Sequence, residues 1–124
     1  MWQSALRFAL VGVSNTFIGL AVIYLAWRVL GLPDLAANAL GYAIGFLWSF
    51  MMNRRWSFQA EGPTGQHFRR FVLVCALAYT ANVLVLMLSR SWLGPEGFLP
   101  HALGMATYSV LAFIGSRRYA FVPR

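Results

Sequence analysis

Hydrophobic residues are collected into four long runs, and most polar residues lie in the short stretches between them. The runs are Phe8–Leu30, Ala36–Met52, Phe71–Leu93 and Phe98–Gly115. At about 1.5 Å of rise per helical residue they measure roughly 26 to 35 Å, close to the ~30 Å hydrocarbon core of a bilayer. The pattern therefore predicts four transmembrane helices and an all-α integral membrane protein.

Turn residues separate the first run from the second and the third from the fourth. Gly31–Asp34 and Gly94–Gly97 each combine glycine with proline, which ends helices and favours tight reversals. The four runs should therefore form two helical hairpins. The longest polar stretch, Asn53–Arg70, is too short for a separate domain and predicts a mobile connector, with residues 59–68 at its centre. The chain is thus expected to be a single membrane domain, residues 1–124.

The two hairpins are copies of one unit. Leu6–Phe58 aligns with Arg69–Phe121 without a gap, and 16 of the 53 aligned pairs are identical. The matches include arginines and glycines, which chance agreement between apolar runs does not explain. Because each copy crosses the membrane twice, we expect a parallel repeat and not an inverted one.

Composition supports a membrane location, and charge predicts an orientation. Hydrophobic residues make up 60% of the chain and charged residues 10%, too few for a water-soluble surface. All ten basic residues are arginine and the net charge is +7. Arg28 and Arg90, with Asp34 and Glu96, belong to the side of the two turns. The side of the termini and connector carries Glu61 and eight arginines, which are Arg7, Arg54, Arg55, Arg69, Arg70, Arg117, Arg118 and Arg124.

This asymmetry places both termini and the connector in the cytoplasm by the positive-inside rule. The arginines lie at the ends of apolar runs and form no basic face on a polar segment. We therefore expect anionic membrane lipids as partners, and no nucleic acid.

The apolar runs lack the groups used for catalysis, metal binding or ion coupling. No Asp, Glu or Lys lies inside a run, and the two histidines, His67 and His101, are far apart in the sequence. The single cysteine, Cys75, excludes an internal disulfide and any multi-cysteine metal site. The sequence predicts no enzyme activity, no cofactor and no metal, and it argues against a proton-coupled or sodium-coupled pump.

An Arg-Arg-aromatic-x-Phe motif closes the second run and recurs after the fourth. Its arginines are Arg54 and Arg55 in the first copy, and Arg117 and Arg118 in the second. Positive-inside topology alone would explain arginines here, but not a phenylalanine at the same spacing in both copies. Guanidinium groups bind phosphate oxygens bidentately, so these four arginines are the candidate phosphate ligands.

Nearby polar and aromatic residues are candidates for a path followed by a substrate headgroup. Trp56 and Tyr119 could stack on a sugar ring. Asn15 lies about two turns inside the first run, where it makes either an interhelical hydrogen bond or a substrate contact. Gly41, Gly45 and Ser49 recur every four residues and predict close helix contact.

These motifs resemble the GtrA-like family of small four-span bacterial membrane proteins. The resemblance rests on Arg7-Phe8, residues 11–16 and residues 53–58, with a weaker echo in the second copy, where Ser116 replaces Asn53. It implies a bacterial inner-membrane protein that moves a polyprenyl-phosphate-linked sugar to the outer leaflet, where glycosyltransferases of the same pathway use it. It also adds Asn53 to the headgroup path of Asn15, Trp56 and Tyr119.

Two other functions remain open. One is a non-transporting adaptor that recruits or stabilises a glycosyltransferase, with Gly41, Gly45 and Ser49 as its docking surface. The other is a small multidrug exporter, which would require a carboxylate within the membrane that this sequence lacks. Four helices form a thin bundle for shielding a sugar, so a homodimer is a further expectation.

Overall fold

The structure is a computed structural model that describes residues 2–94 and 97–122, and over these residues it contains helices and no strand. The helices are α1 (Trp2–Tyr24), α2 (Asp34–Met52), α3 (Thr64–Leu93) and α4 (Leu99–Gly115). Three of them continue into five-residue π-helical turns, which are Leu25–Val29 after α1, Asn53–Ser57 after α2 and Ser116–Ala120 after α4. The predicted all-α fold is confirmed.

The helices form two compact units, each a helical hairpin. Unit one is Met1–Gln59, in which α1 packs along α2, and unit two is Ala60–Arg124, in which α3 packs along α4. Every contact described below lies within one of these units.

Glycine and proline end the helices at the predicted turns. Gly31 has a φ of 72°, a left-handed conformation that glycine adopts without steric cost, and Pro33 is extended directly before α2. In unit two, Gly94 and Gly97 have φ values of 95° and 104°. The predicted turn residues Pro95 and Glu96, and the predicted cytoplasmic Arg124, lie outside the described residues.

The helices extend beyond the apolar runs into the polar sequence on either side. α1 already begins at Trp2 and α3 at Thr64, while α2 continues through its π-helical turn to Ser57. The non-helical part of the connector is therefore only residues 58–63, shorter than expected. α3 has 30 residues and is about 45 Å long, so it would extend beyond a ~30 Å hydrocarbon core.

Three of the four helices are long and apolar enough to cross a membrane. They span Trp2–Val29, Asp34–Ser57 and Thr64–Leu93 when their π-helical turns are included. The fourth, α4, is the shortest of these helices, with 17 residues. The structure thus supports three spans and a fourth helix where the sequence predicts four spans.

Large apolar side chains cover the outside of both hairpins, and small residues fill the contacts between helices. Leu35 and Trp92 are 81% and 89% exposed, whereas Ala37, Ala78 and Ala112 are buried. Small residues let helix backbones approach closely, as is usual in membranes, where burial of apolar surface does not drive helix association. This distribution is that of a membrane protein.

Candidate functional site

The Arg-Arg-aromatic motif forms a π-helical turn in both units. In unit one the N–H of Phe58 donates to the carbonyl of Asn53 at 2.9 Å, and in unit two the N–H of Phe121 donates to the carbonyl of Ser116 at 3.0 Å. Hydrogen bonds between residues five apart are rare and occur frequently at functional sites. The doubled sequence motif therefore corresponds to a doubled, unusual backbone geometry.

An arginine on the first helix of each unit holds this turn. Arg7 donates from Nη1 to the carbonyl of Trp56 at 3.0 Å, and its Cζ lies 5.3 Å from the centroid of the Trp56 ring. In unit two, Arg70 donates from Nη1 to the carbonyl of Tyr119 at 3.4 Å and lies 5.1 Å from that ring. The last carbonyls of a helix have no partner within the helix, and a guanidinium group supplies one here.

Sequence reasoning missed this role of Arg7 and Arg70. The signal was present, because the two arginines occupy equivalent positions in the repeat and each precedes a phenylalanine. In the sequence, the charges of Arg7 and Arg70 indicate membrane topology and do not reveal this contact. In the structure each of these arginines contacts the motif directly.

The phenylalanine that ends the motif packs against the phenylalanine that follows the holding arginine. The rings of Phe8 and Phe58 lie 5.9 Å apart in unit one, and those of Phe71 and Phe121 lie 5.4 Å apart in unit two. His67 also meets Phe121 edge-on at 5.8 Å. The fixed spacing of the phenylalanine is thereby explained by contact with the neighbouring helix. We call Arg7, Phe8 and residues 53–58 the arginine end of unit one, and Arg70, Phe71 and residues 116–121 the arginine end of unit two.

The interiors of the two π-helical turns differ. Asn53 is 1% exposed, donates from Nδ2 to Ser49 Oγ at 3.2 Å and accepts from Ser57 Oγ at 2.7 Å. In unit two the equivalent residues are Ser116 and Ala120, both fully buried, and Ser116 Oγ has no hydrogen-bond partner among the described residues. Asn53, predicted for the headgroup path, therefore lies inside the turn and fixes its conformation.

The predicted phosphate ligands lie on the outside of the two turns. Arg55, Arg117 and Arg118 are exposed and Arg54 is partly exposed. Each arginine end therefore presents two guanidinium groups on the two residues directly before the aromatic residue that Arg7 or Arg70 covers.

Asn15 lies deeper in unit one than the arginine end. Its Oδ1 meets the position that a Cβ of Gly45 would occupy, so the amide lies directly between α1 and α2. Gly45 precedes Asn53 on α2 by eight residues, about 12 Å along the helix. Asn82 has the same relation to Gly104 in unit two. The structure therefore gives Asn15 an interhelical contact.

Open clefts occur in both units. In unit two a cleft of about 300 Å³ lies beside the arginine end and is lined by Gln66, Arg69, Arg70, Leu73 and Tyr119. In unit one a cleft of about 460 Å³ lies near the turn and is lined by Ile23, Trp27, Asp34, Leu35, Ala37 and Asn38. The basic cleft of unit two contains the predicted site residue Tyr119.

Within residues 2–94 and 97–122, no three His, Cys, Asp or Glu side chains come close enough together to hold a metal ion. The chemistry that these residues offer is therefore hydrogen bonding by guanidinium groups beside aromatic rings. Such groups bind phosphate esters without any metal.

Comparison with known proteins identifies the family of the chain. Residues 7–121 match the family model described as the GtrA/DPMS transmembrane domain. The chain is also 30% identical over 118 residues to the uncharacterized membrane protein YngA of Bacillus subtilis (strain 168), covering 93% of this chain and 77% of that protein. The matched region begins at Arg7 and ends at Phe121, so it includes both arginine ends. The chain belongs to the GtrA/DPMS transmembrane-domain family.

Proposed function

We propose that this protein moves a polyprenyl-phosphate-linked sugar from the cytoplasmic to the outer leaflet of the bacterial inner membrane, for synthesis or modification of cell-surface polysaccharide. Membership of the GtrA/DPMS family already indicates that the chain takes part in handling polyprenyl-phosphate sugars. The observation that carries the finer proposal is the arginine end, a π-helical turn that offers guanidinium groups and an aromatic ring in each unit.

In this proposal the arginine ends face the cytoplasm and receive the lipid phosphate. Arg54, Arg55, Arg117 and Arg118 bind phosphate oxygens, and Trp56 and Tyr119 contact the sugar. Arg7 and Arg70 position those rings, and Asn53 holds the turn that carries Arg54 and Arg55. Asn15, at the contact of α1 with α2, lines the deeper part of the headgroup path, while the polyprenyl chain stays in lipid beside the exposed apolar faces.

The proposed movement is passive. The acidic residues of the sequence are Asp34, at the start of α2, Glu61, in the connector, and Glu96, in the second turn. Neither Asp34 nor Glu61 lies in the middle of a helix, where proton relays and sodium sites require carboxylates. Consumption of the sugar donor by a glycosyltransferase on the outer side would then give the movement its direction.

Two of the three residues predicted as the docking surface of an adaptor make contacts within unit one. Gly41 and Gly45 are buried against α1, where Gly41 lies against Gly19 and Ile23, and Gly45 lies against Asn15. The glycines therefore serve contact within unit one and are not available to a second protein. A homodimer formed through the exposed apolar faces is compatible with the translocation proposal, because a single hairpin pair buries little of a sugar headgroup.

Purified protein in sealed liposomes tests the proposal. A labelled polyprenyl-phosphate sugar should equilibrate between the leaflets with no ion gradient and no nucleotide, at a rate proportional to the number of protein molecules per vesicle. Protein-free liposomes are the control. Movement that strictly requires a gradient would contradict the passive mechanism, and no movement at all would favour the adaptor.

Arg54→Lys and Arg117→Lys test the phosphate ligands in the same assay. Lysine keeps the positive charge that sets topology but cannot form the bidentate fork. Loss of one charge-assisted hydrogen bond, worth roughly 1.5–3 kcal/mol, should slow movement by about tenfold to a hundredfold. Wild-type rates in both variants would reduce these arginines to topology signals.

A further inference from the structure

Four hydrogen-bonding side chains line the cleft of unit two. Three of them lie on one face of α3, and the fourth lies on the neighbouring π-helical turn. Gln66, Arg69 and Arg70 have the i, i+3, i+4 spacing that places residues side by side on a helix, and Leu73 continues the same face at i+7. Tyr119 closes the cleft from the π-helical turn. We infer that this cleft binds the phosphate group of a lipid, with one such site in each chain.

The donors that line the cleft are available to a ligand. Arg70 uses Nη1 to bind the carbonyl of Tyr119, which fixes its guanidinium group and leaves its other N–H groups for a ligand. Arg69 is exposed and Gln66 is partly exposed, so both side chains are open to a ligand. A phosphate between Arg69 and Arg70 would receive charge-assisted hydrogen bonds from two guanidinium groups, one of them already held in place.

No carboxylate neutralises the cleft in the part of unit two that the structure describes. Glu61 is the acidic residue of that part, and it is not among the residues that line the cleft. Two neighbouring guanidinium groups without a counter-ion repel each other, and an anion between them removes this repulsion. The electrostatics therefore favour a ligand that carries negative charge.

Unit one provides an internal comparison, because the repeat supplies an equivalent for every lining residue. Gln66, Arg70 and Leu73 correspond to Gln3, Arg7 and Leu10, which are identical in type. Arg69 corresponds to Leu6, and Tyr119 corresponds to Trp56. Unit one thus has a single guanidinium group at this place, and that group already binds the Trp56 carbonyl. The difference assigns this cleft site to unit two alone, and the motif arginines Arg54, Arg55, Arg117 and Arg118 are not among its lining residues.

A lipid phosphate fits the surroundings of the cleft better than free phosphate. Leu73 and Leu77 are 47% and 62% exposed, and Leu84 follows on the same side of α3, five helical turns from Gln66. These leucines form an apolar stripe that leads away from the cleft along the helix. An acyl or polyprenyl chain attached to the phosphate would lie on this stripe, whereas free phosphate would gain nothing from it.

The inference rests on the proposed function for the identity of the lipid, but binding can be measured without transport. The probe is a radiolabelled polyprenyl phosphate, equilibrated with purified protein in phosphatidylcholine nanodiscs, with the unphosphorylated polyprenol as headgroup control. We expect saturable binding of one polyprenyl phosphate per chain and none of polyprenol. Displacement of the lipid by millimolar inorganic phosphate would overturn the assignment to a lipid headgroup.

Variants that exchange the two units test the residues. Arg69→Leu installs the residue of unit one and should weaken binding by about tenfold or more, since it removes one charge-assisted hydrogen bond. Arg28→Leu, which removes an exposed arginine at the other end of a helix, should bind as the wild type does. Leu6→Arg with Trp56→Tyr reproduces the unit-two lining in unit one and should raise saturation from one lipid per chain to two.

These outcomes separate the inference from the proposed function. Wild-type affinity in Arg69→Leu, or saturation unchanged in the double variant, would overturn the inference even if liposome assays show translocation. Conversely, a wild-type protein that binds polyprenyl phosphate through Arg69 but does not move it would disprove translocation and leave the site standing.

Discussion

At the scale of single residues, glycine is required where two helices of a hairpin touch. A Cβ on Gly41 would lie 2.8 Å from the carbonyl oxygen of Gly19, and a Cβ on Gly104 would lie 2.9 Å from that of Asn82. Gly41 and Gly104 are equivalent in the repeat, as are Gly19 and Asn82. The same backbone contact is thus built twice, and the partner in each case is a carbonyl group that cannot move without its helix.

Replacement of Gly41 by alanine should destabilise the protein. The new methyl group must push α1 away from α2, and overpacking of this kind costs about 1–3 kcal/mol. We expect a lower melting temperature in mild detergent, followed by tryptophan fluorescence. Gly12→Ala is the matched control, because a Cβ on Gly12 meets nothing within 4 Å and alanine favours a helix by up to about 1 kcal/mol. Equal melting temperatures for the wild type and Gly41→Ala would disprove the contact.

The glycine contacts could be predicted from the sequence, but the function of Asn15 and Arg7 could not. Small residues every four positions are a direct signal of close helix approach. By contrast, an amide or a guanidinium group serves equally well as a ligand for substrate or for the protein's own backbone, and only coordinates decide which. Asn15 lies against Gly45, and Arg7 binds the carbonyl of Trp56.

At the scale of elements, the two π-helical turns have the same backbone geometry but enclose different buried side chains. Unit one fills its turn with the Ser49, Asn53 and Ser57 hydrogen bonds, and unit two fills it with Ser116 and the methyl group of Ala120. What the two turns share is the arginine that binds the aromatic residue's carbonyl and the pair of phenylalanines. These shared contacts come from the neighbouring helix, so the turn depends on tertiary structure.

That dependence explains why the turns were not predicted from the sequence. Apolar runs reveal where chain crosses a membrane, and they correctly located α1 to α4. The same runs underestimated the helices, since Trp2, Ser57 and Thr64 lie in polar sequence that remains helical. In a π-helical turn the backbone hydrogen bonds join residues five apart instead of four. This change has no recognisable pattern of residue types in the sequence.

Removal of Asn53 should destabilise the turn of unit one. Asn53→Ala leaves the hydroxyl of Ser57 buried without its acceptor, a loss of about 1–3 kcal/mol. The double variant Asn53→Ser with Ser57→Ala places the residue types of Ser116 and Ala120 in unit one and removes the Ser57 hydroxyl together with its acceptor, so it should lose less than the single variant. Melting temperatures in detergent measure both. A double variant less stable than Asn53→Ala would show that the hydrogen bonds are not coupled.

At the scale of the whole molecule, an apolar exterior is combined with charge at the helix ends. Exposed leucine, valine and phenylalanine side chains cover the hairpins, while arginines occur where a helix enters or leaves its apolar run. Burial of this surface in lipid stabilises insertion, and the arginines select between the two orientations that insertion allows. Orientation decides whether the arginine ends and the cleft of unit two meet a lipid-linked sugar on the side where it is made.

Orientation can be measured with cysteines placed on the two sides of the predicted topology. The arginine side carries a net charge of +7 and the turn side a net charge of 0, which strongly favours one orientation. In a Cys75→Ser background that removes the only native thiol, a membrane-impermeant maleimide applied to spheroplasts should label Leu32→Cys in the first turn. Ala60→Cys in the connector should react only after the membrane is permeabilised. Labelling of both cysteines in intact spheroplasts would reveal dual insertion, which would allow antiparallel dimers and alternating access. Labelling of Ala60→Cys alone would place the arginine ends outside, where they could not receive a lipid made in the cytoplasm.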